Sequence, residues 1–315
     1  MPRPSEFDLI RECFASGYPL ADDLITGIGD DCSVIRPPHS CDLAQSVDTQ
    51  VAGVHFPPEA PAYLIAGRAL RCAASDLAAM GATPQGFHLA LTLPDNSPQW
   101  LAGFADGLRS TAAALKLPLL GGDTTRGPVL VITVSVQGWL PAGQGLRRSG
   151  ARVGDQVWLS GPVGASALIL DEVIRAPARD DAATAPYYHP QVHLGFGQRL
   201  RSLASAALDI SDGLLQDAGH IARLSDVGLR LDADQIPAAV PREHPRWNEC
   251  LSGGDDYQLL FTAPASATAD IEAAARAEGL PDCRRIGQVT TESGKVVVCQ
   301  GTEILSFPKT GYEHF

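Results

Sequence analysis

Six segments of this 315-residue chain carry aspartates at the ends of apolar stretches, most of them beside glycine. The segments are GIGDDCSVI (27–35), SVDTQVAGVHF (46–56), AASDLAAMGA (73–82), GGDTTRGP (121–128), LDISDGL (208–214) and LSGGDDYQLLF (251–261). Each has an ordinary explanation when taken alone, because aspartate beside glycine is common in turns and Asp212 before Gly213 could cap a helix. For GGDTT alone, a turn is the favoured interpretation. The recurrence of the pattern suggests a second explanation, since carboxylate oxygens are preferred ligands of hard cations such as Mg²⁺.

Asp76 is the hardest of these aspartates to explain as a turn residue. Helical spacing puts it on an apolar stripe with Ile65, Cys72 and Met80. It also precedes Gly81 near the C-terminal end of the predicted helix, where the helix dipole disfavours an anion. A buried carboxylate without a positive partner is costly, so an arginine or a metal ion is expected beside it. Few cationic residues lie nearby in sequence, which favours the metal ion.

Asp48 gives a similar signal, because it interrupts an apolar strand pattern and carboxylates are depleted in strands. An edge strand is the alternative explanation. Taken together, the candidate oxygen ligands of hard cations are Asp30, Asp48, Asp76, Asp123, Asp209 and Asp212. Zinc is not expected, because the chain has no C-x-x-C spacing and the two histidines of HPQVH (189–193) are separated by Pro190, which favours a loop.

The composition argues against several classes of function. The net charge of −12, from 24 basic and 36 acidic residues, argues against a nucleic-acid partner. The opening MPRPSEFDLI contains no apolar signal segment, and the alanine-rich run 62–82 is too charged to span a membrane. The seven cysteines are interpreted as free thiols in a reducing compartment. A cytoplasmic protein without a membrane partner is therefore expected.

Metal clusters of this kind most often serve nucleotide phosphates, but the chain has no G-x-x-x-x-G-K-[ST] loop. Its three lysines all lie outside glycine-rich turns. Any ATP would have to be held by metal ions, backbone amides and arginine. Arg148 in LRRSGA is the candidate, with Arg147 beside it, and a solvated linker is the alternative explanation for both.

Alternating apolar patterns predict two α+β halves that position these residues. The predicted strands are 43–56, 85–93, 129–140, 156–160, 207–210, 227–232, 257–262 and two closing strands. The predicted helices are 61–80, 98–116, 163–175, 193–206, 213–225 and 266–278. Residues 175–188 are predicted to form an exposed, mobile loop. The expected domains are 1–140 and 156–315, joined by a glycine- and arginine-rich linker at 141–155.

Eight motifs occur in an order that resembles the thiamine-monophosphate kinases, a family within the aminoimidazole ribonucleotide synthetase superfamily. They are GIGDDCSVI, SVDTQVAGVHF, SDLAAMGATP, GGDTTRGP, RRSGARVGD, LDISDGLLQD, SGGDDYQLLF and the terminal GYEHF. The resemblance runs from about residue 5 to the last residue. It implies a two-domain α+β fold whose N-terminal sheet pairs with its mate in a homodimer and whose C-terminal domain closes over the nucleotide. It also implies Mg²⁺-assisted, in-line transfer of the ATP γ-phosphoryl group to thiamine monophosphate, the last step of thiamine diphosphate synthesis.

The resemblance carries functional roles onto matching residues of this chain. The implied metal contacts are the six aspartates named above together with Ser46 and the backbone carbonyl of Val47. The implied ATP contacts are Gly122, Asp123, Arg148 and Ser211. The implied substrate contacts are His55, Gln258 and Tyr312. No general base is expected, because the attacking oxygen belongs to a phosphate whose second pKa is about 6. A core histidine and a frayed chain end are the alternative explanations for His55 and Tyr312.

Gln258 departs from the family pattern, which usually has glutamate there, as GG-acidic-DYEL. Glutamine keeps an acceptor oxygen and loses the charge, so recognition of the substrate is predicted to rely on hydrogen bonding. The GGDD turn beside it is predicted to shape a substrate pocket, and Asp255 and Asp256 are not expected to be the main metal ligands.

Four alternatives stay open on the sequence. A selenophosphate synthetase would need a reactive cysteine followed by lysine, whereas Cys13 in RECFASG has no lysine near it. A purine-biosynthesis synthetase would match the C-terminal half less well. A hydrogenase-maturation enzyme of the same superfamily would end in a reactive cysteine tail, whereas this sequence ends in EHF. A non-catalytic, cation-stabilised nucleotide-binding protein is the alternative from another class.

Overall fold

The computed structural model describes residues 10–30 and 32–313. The opening residues, Asp31 and the last two residues of the GYEHF motif lie outside this description. The chain forms two compact units. The first unit comprises Met1–Leu77, Thr83–Gly143 and Glu172–Pro190, and the second comprises Ala78–Ala82, Gln144–Asp171 and Gln191–Phe315.

Strands and helices alternate along the described part of the chain. The strands are β1 (Leu24–Thr26), β2 (Val34–Ile35), β3 (Cys41–Val51), β4 (Thr83–Leu93), β5 (Leu119–Arg126), β6 (Val131–Pro141), β7 (Gln156–Leu159), β8 (Ala206–Asp209), β9 (Gly228–Asp232), β10 (Leu259–Ala263), β11 (Arg284–Thr290), β12 (Val296–Gln300) and β13 (Glu303–Leu305). The α-helices are α1 (Ala62–Met80), α2 (Pro98–Leu115), α3 (Ala165–Arg175), α4 (Ala185–Tyr188), α5 (Leu194–Leu200), α6 (Leu214–Leu224), α7 (Trp247–Ser252) and α8 (Thr268–Ala277). The described residues also form a five-residue π-helix at Ile10–Phe14 and a short 3₁₀-helix at Ala265–Ala267.

A four-stranded sheet with the order β3-β6-β4-β5 forms the centre of the first unit. β6 pairs antiparallel with β3 and with β4, and β5 pairs parallel with β4. The predicted strand 43–56 ends at Val51, because Gly53 takes a φ of +80° and His55 donates its backbone N–H to Val51 at 2.9 Å, which turns the chain. A short hairpin of β1 and β2 lies in the same unit.

The expected turn at GGDTT is wrong, because these residues belong to strand β5. A Cβ on Gly122 would lie 2.0 Å from the carbonyl oxygen of Leu89 in the neighbouring strand. Glycine there permits a close approach of two backbones, which is its other common use within a sheet. The glycines of GGDTT therefore allow the backbones of β4 and β5 to approach each other closely and do not form a turn.

The prediction that 175–188 is an exposed loop is wrong for its last residues, which form α4. Tyr187 and Tyr188 are buried. The Arg68 guanidinium lies 4.0 Å from the centre of the Tyr187 ring, and its Nη1 donates to the Tyr187 carbonyl oxygen at 2.6 Å. This cation–π contact and hydrogen bond hold the segment against helix α1, which carries Arg68.

A seven-stranded sheet with the order β13-β12-β9-β11-β7-β10-β8 forms the centre of the second unit. Alternate residues of its central strands enter two different clusters of buried side chains, with Leu260 in one and Phe261 in the other. Burial on both faces explains why these strands read as continuous apolar runs. The predicted helix 193–206 stops at Leu200, and α7 and a third closing strand were not predicted.

The mixed α and β fold expected from the sequence is confirmed in both units. All seven cysteines are free thiols, as expected. Among the described residues, helices long and apolar enough to cross a membrane are absent.

Candidate active site

Asp48 and Asp76 form a close pair of carboxylates in the first unit. Ser46 and Asp48 are two residues apart on β3 and therefore face the same side of the sheet. The Ser46 hydroxyl donates to Oδ2 of Asp76 at 2.5 Å. Burial and the neighbouring Asp76 charge raise the pKa of Asp48 from 3.8 to about 6. The side chain of Val47 points the other way and is 62% exposed, so only its backbone carbonyl could join this group.

This arrangement fits a hard divalent cation. All its donors are oxygens, and two partly buried carboxylates at close range repel each other. Burial first, and then this repulsion, raise the pKa of Asp48, and a cation bound by the two carboxylates would favour their charged forms. A positive partner was expected beside Asp76; the neighbours that the structure shows are the Ser46 hydroxyl and the Asp48 carboxylate, so the metal ion stays a prediction.

Asp30 and Asp123 line a different part of the first unit, a cavity of about 850 Å³ that also includes Gly122. The register puts Asp48 in the cross-strand row of Gly122, whereas Asp123 belongs to the next row. Successive strand residues face opposite sides, so the side chains of Asp48 and Asp123 point to opposite faces of the sheet. The four aspartates of the first unit therefore fall into two groups.

A histidine stands in the wall of this cavity. Nε2 of His88 lies 2.9 Å from the Ser33 hydroxyl, in the segment that carries Asp30. Burial lowers the pKa of His88, so its ring is neutral at pH 7. The contact ties the glycine-rich segment to β4.

Asp212 does not cap helix α6, so that interpretation is wrong. Gly213 occupies the cap position with a φ of +129°, and the side chain of Asp217 accepts the backbone N–H groups of residues 212 and 213, both at 3.1 Å. Asp217 thereby shapes the turn from within the helix, while Oδ2 of the Asp212 carboxylate accepts a hydrogen bond from Nε2 of Gln216 at 3.3 Å. Asp209 ends strand β8 just before this turn and is buried.

Asp212, Asp217 and His220 offer ligand atoms that all lie within 4.8 Å of one another, which makes them a candidate metal-binding group. Burial, followed by the charge of Asp212, raises the pKa of Asp217 to about 7. The positive charge of Arg148 acts on Asp217 in the opposite direction and is the smallest of the causes. Sequence reasoning missed Asp217 and His220, although their spacing along QDAGH puts them on one side of a helix that starts at the DISDG turn.

Two further segments of the second unit support the same turn. Tyr312 donates its backbone N–H to the Asp212 carbonyl at 2.9 Å, and its own carbonyl accepts from Gln216 at 3.0 Å. Asp255, in the left-handed region with a φ of +65°, donates its N–H to the Ser211 carbonyl at 2.8 Å. The chain end and the GGDD segment are therefore attached to the turn that carries Ser211 and Asp212.

The side chain of Asp256 is buried and bonded to the backbone of the second unit. One of its carboxylate oxygens accepts the Gly164 N–H at 2.6 Å, and the other is buried without a hydrogen-bond partner among the described residues. Burial raises the pKa of Asp256 well above its usual range, which favours the protonated form.

Gln258 is buried in a polar network of the second unit. Its Oε1 accepts the Ser160 hydroxyl at 2.8 Å and lies 3.0 Å from Nε2 of His193. Burial lowers the pKa of His193, so the imidazole is neutral. Neither Ser160 nor His193 was recognised from the sequence, because their relation to Gln258 depends on chain segments far apart.

His55 lies in the turn after β3. Its Nδ1 accepts the Val51 N–H at 3.0 Å, which places the proton of the neutral ring on Nε2. The Tyr187 hydroxyl donates to the His55 carbonyl oxygen at 2.7 Å. The turn is therefore held from two sides, and this chain of contacts continues through Tyr187 to Arg68.

Comparisons with known proteins agree with this architecture. Residues 29–140 match the N-terminal domain of AIR synthase related proteins, and residues 152–300 match their C-terminal domain. The two domains define an enzyme class built on the AIR synthase fold.

The particular family follows from full-length relatives. The chain is 40% identical to the thiamine-monophosphate kinase of Salmonella typhimurium, over 98% of both chains. A crystal structure of thiamine-monophosphate kinase from Stenotrophomonas maltophilia matches with a TM-score of 0.81 and 38% identity, over 88% of this chain and 91% of that chain. The structure described as AaThiL complexed with AMPPCP and TMP matches with a TM-score of 0.74 and 27% identity, over 91% and 92% of the two chains. The chain belongs to the thiamine-monophosphate kinase family.

Proposed function

We propose that this protein transfers the γ-phosphoryl group of ATP to thiamine monophosphate and releases thiamine diphosphate and ADP. The observation that carries this proposal is the 40% identity to a thiamine-monophosphate kinase over 98% of both chains. The related structure with AMPPCP and TMP supports the same pair of substrates. The synthetase and binding-protein alternatives are not favoured, because the full-length relatives are kinases.

The acidic side chains have a role in this reaction that suits their chemistry. Mg²⁺ ions, when bound, would screen the repulsion between the two phosphates. In the first unit, Asp48, Asp76 and the Ser46 hydroxyl would hold such ions, with the Val47 carbonyl beside them. Asp30 and Asp123 line the separate cavity of the same unit and are proposed ligands there. The second unit contributes Asp209 and Asp212 as proposed ligands.

Proton transfer places little demand on the protein. The attacking oxygen belongs to the phosphate of the substrate, whose second pKa of about 6 leaves it mostly ionised at neutral pH. We therefore assign no general base. The protein orients the two phosphates in line and excludes water. Enzymes of phosphoryl transfer usually act in this way, by positioning the reacting groups.

The remaining contacts are proposed from the family motifs and supported by local geometry. Gly122, Asp123, Arg148 and Ser211 are the proposed ATP contacts. Arg148 suits a phosphate because its guanidinium is a permanent, planar donor. Of the proposed substrate contacts, His55 accepts a backbone N–H at Nδ1, so its neutral ring carries the proton on Nε2, and Tyr312 has an aromatic ring of the kind that stacks on thiamine. Gln258 is the third.

The homodimer, the cytoplasmic location and the domain limits 1–140 and 156–315 are also part of this proposal. β3 is an edge strand of its sheet, and it exposes the apolar side chains of Leu43 and Val47. An apolar edge strand is suited to pairing with a second sheet. Measurement of the mass in solution by light scattering tests the dimer, and a monomer at working concentration would contradict it.

A coupled assay of ADP release tests the function. We expect ADP release with ATP, Mg²⁺ and thiamine monophosphate together, and its loss when Mg²⁺ is chelated. Thiamine without phosphate, an aminoimidazole precursor and selenide are the matched alternative acceptors. Release of ADP with one of these and none with thiamine monophosphate would refute the proposal.

A further inference from the structure

The hydrogen bonds around Gln258 determine which end of its side-chain amide is available to a ligand. The Leu259 backbone N–H donates to the Ser160 hydroxyl oxygen at 2.8 Å. The hydroxyl proton of Ser160 is then available for Oε1 of Gln258, 2.8 Å away. A neutral His193 donates its Nε2 proton to the same oxygen across 3.0 Å. Both lone pairs of Oε1 are thus used.

The opposite orientation of the amide is disfavoured. It would put the NH₂ group against Ser160, whose oxygen would then accept two hydrogen bonds while its own proton lost its partner. Leaving a buried donor unsatisfied is costly, and Ser160 is only 1% exposed. A neighbouring glycine provides the space, since a Cβ on Gly161 would lie 2.5 Å from Oε1 of Gln258.

We propose that Ser160 and His193 are positioning residues that orient Gln258 so that it presents N–H donors, and no acceptor, to the substrate. The inference rests on the proposed kinase function and deepens it. The acceptor that suits these donors is a ring nitrogen of the aminopyrimidine of thiamine monophosphate. A glutamate at this position would present a charged acceptor and would suit the exocyclic amine instead. The expectation that Gln258 offers its acceptor oxygen to the substrate is thereby replaced by the opposite sense of hydrogen bonding.

Steady-state kinetics on the full-length enzyme test the proposal. His193→Leu removes the donor to Oε1, and we expect the KM for thiamine monophosphate to rise about tenfold while kcat and the KM for ATP change less than about twofold. His193→Gln keeps an N–H donor near the same place and should recover most of the KM. His244→Leu, at an exposed histidine of the same unit, is the matched control.

Substrate analogues test the wild-type enzyme without any substitution in the protein. Thiamine monophosphate is compared with analogues in which a pyrimidine ring nitrogen is replaced by C–H, each replacement in turn. We expect one analogue to show a KM about tenfold higher in the wild type. In Gln258→Glu the penalty should disappear, because the donor is gone.

The outcomes distinguish failure of the Gln258 proposal from failure of the proposed kinase function. Equal KM values for thiamine monophosphate and all ring analogues, or equal KM values for His193→Leu and His193→Gln, would overturn the role of Gln258 and its two neighbours. Failure of the wild type to phosphorylate thiamine monophosphate at all would overturn the proposed function itself.

Discussion

Asp48→Asn is expected to stabilise the metal-free protein and to abolish most of its activity. Asp48 lies against Asp76, and burial together with this neighbouring charge raises its pKa from 3.8 to about 6. A carboxyl group whose pKa is raised by folding favours the folded state only while it stays protonated. Its contribution is fully present below pH 3.8 and is lost as the pH rises through about 6.

The size of the effect follows from the shift. A difference of roughly two pKa units corresponds to about 3 kcal/mol of folding free energy at pH 8, at about 1.4 kcal/mol per unit. Asparagine carries no charge, so the variant avoids this penalty. It also removes the repulsion felt by Asp76. We expect the variant to gain 1–3 kcal/mol (~2 kcal/mol) at pH 8 and almost nothing at pH 4.

Urea unfolding in the presence of a chelator measures the gain, with wild type and variant compared at both pH values. Glu59→Gln, at an exposed carboxylate of the same unit, is the matched control and should change stability little at either pH. Added Mg²⁺ should stabilise the wild type more than Asp48→Asn. The same substitution should lower kcat by about 100-fold or more, since it removes a proposed metal ligand.

Two results would refute the reasoning. A variant that is no more stable than the wild type at pH 8 in chelator would show that burial and the neighbouring Asp76 do not destabilise the charged form of Asp48. A variant that keeps full turnover at low Mg²⁺ would show that Asp48 holds no metal ion needed for the reaction.

Three further substitutions test other parts of the site. Asp76→Asn should reduce turnover far more than stability, and full turnover at low Mg²⁺ would contradict its role as a ligand. Tyr187→Phe removes the hydrogen bond to the His55 carbonyl, so we expect the free energy of unfolding to fall by about 1 kcal/mol and the KM for thiamine monophosphate to rise about fivefold. If neither value changed, Tyr187 would have no role in holding His55 for the substrate. Gly122→Ala would place a Cβ 2.0 Å from a backbone oxygen of the adjacent strand and should lower the melting temperature, whereas Gly103→Ala, whose Cβ would meet its nearest neighbour at 3.7 Å, should not.

Local pattern was sufficient for the long elements of the fold. The helix that carries Asp76 was predicted as 61–80 and is observed at Ala62–Met80, because its apolar stripe has helical spacing over five turns. The strand predicted at 129–140 is observed at Val131–Pro141 for the corresponding reason. In both cases the signal lies within one continuous segment.

The errors share a physical cause. GGDTT was interpreted as a turn because its residues favour turns, but pairing with β4 makes it a strand. Residues 184–188 were interpreted as an exposed loop, but the contact of Tyr187 with Arg68 buries them. In each case a partner distant in sequence overrode the local preference.

The sequence by itself determined the chemical inventory of this protein, which consists of an ordered series of aspartate motifs, a family resemblance and the absence of a lysine-containing phosphate loop. Only the tertiary structure decided how those groups act on each other. In the folded chain the carboxylate of Asp48 lies near that of Asp76, and the side chain of Asp217 holds the Asp212 turn. The acceptor oxygen of Gln258 is bonded to the Ser160 hydroxyl. The reason is that charge repulsion and hydrogen-bond direction depend on distances of a few ångströms between side chains, and those distances are set by packing between segments that are remote along the chain.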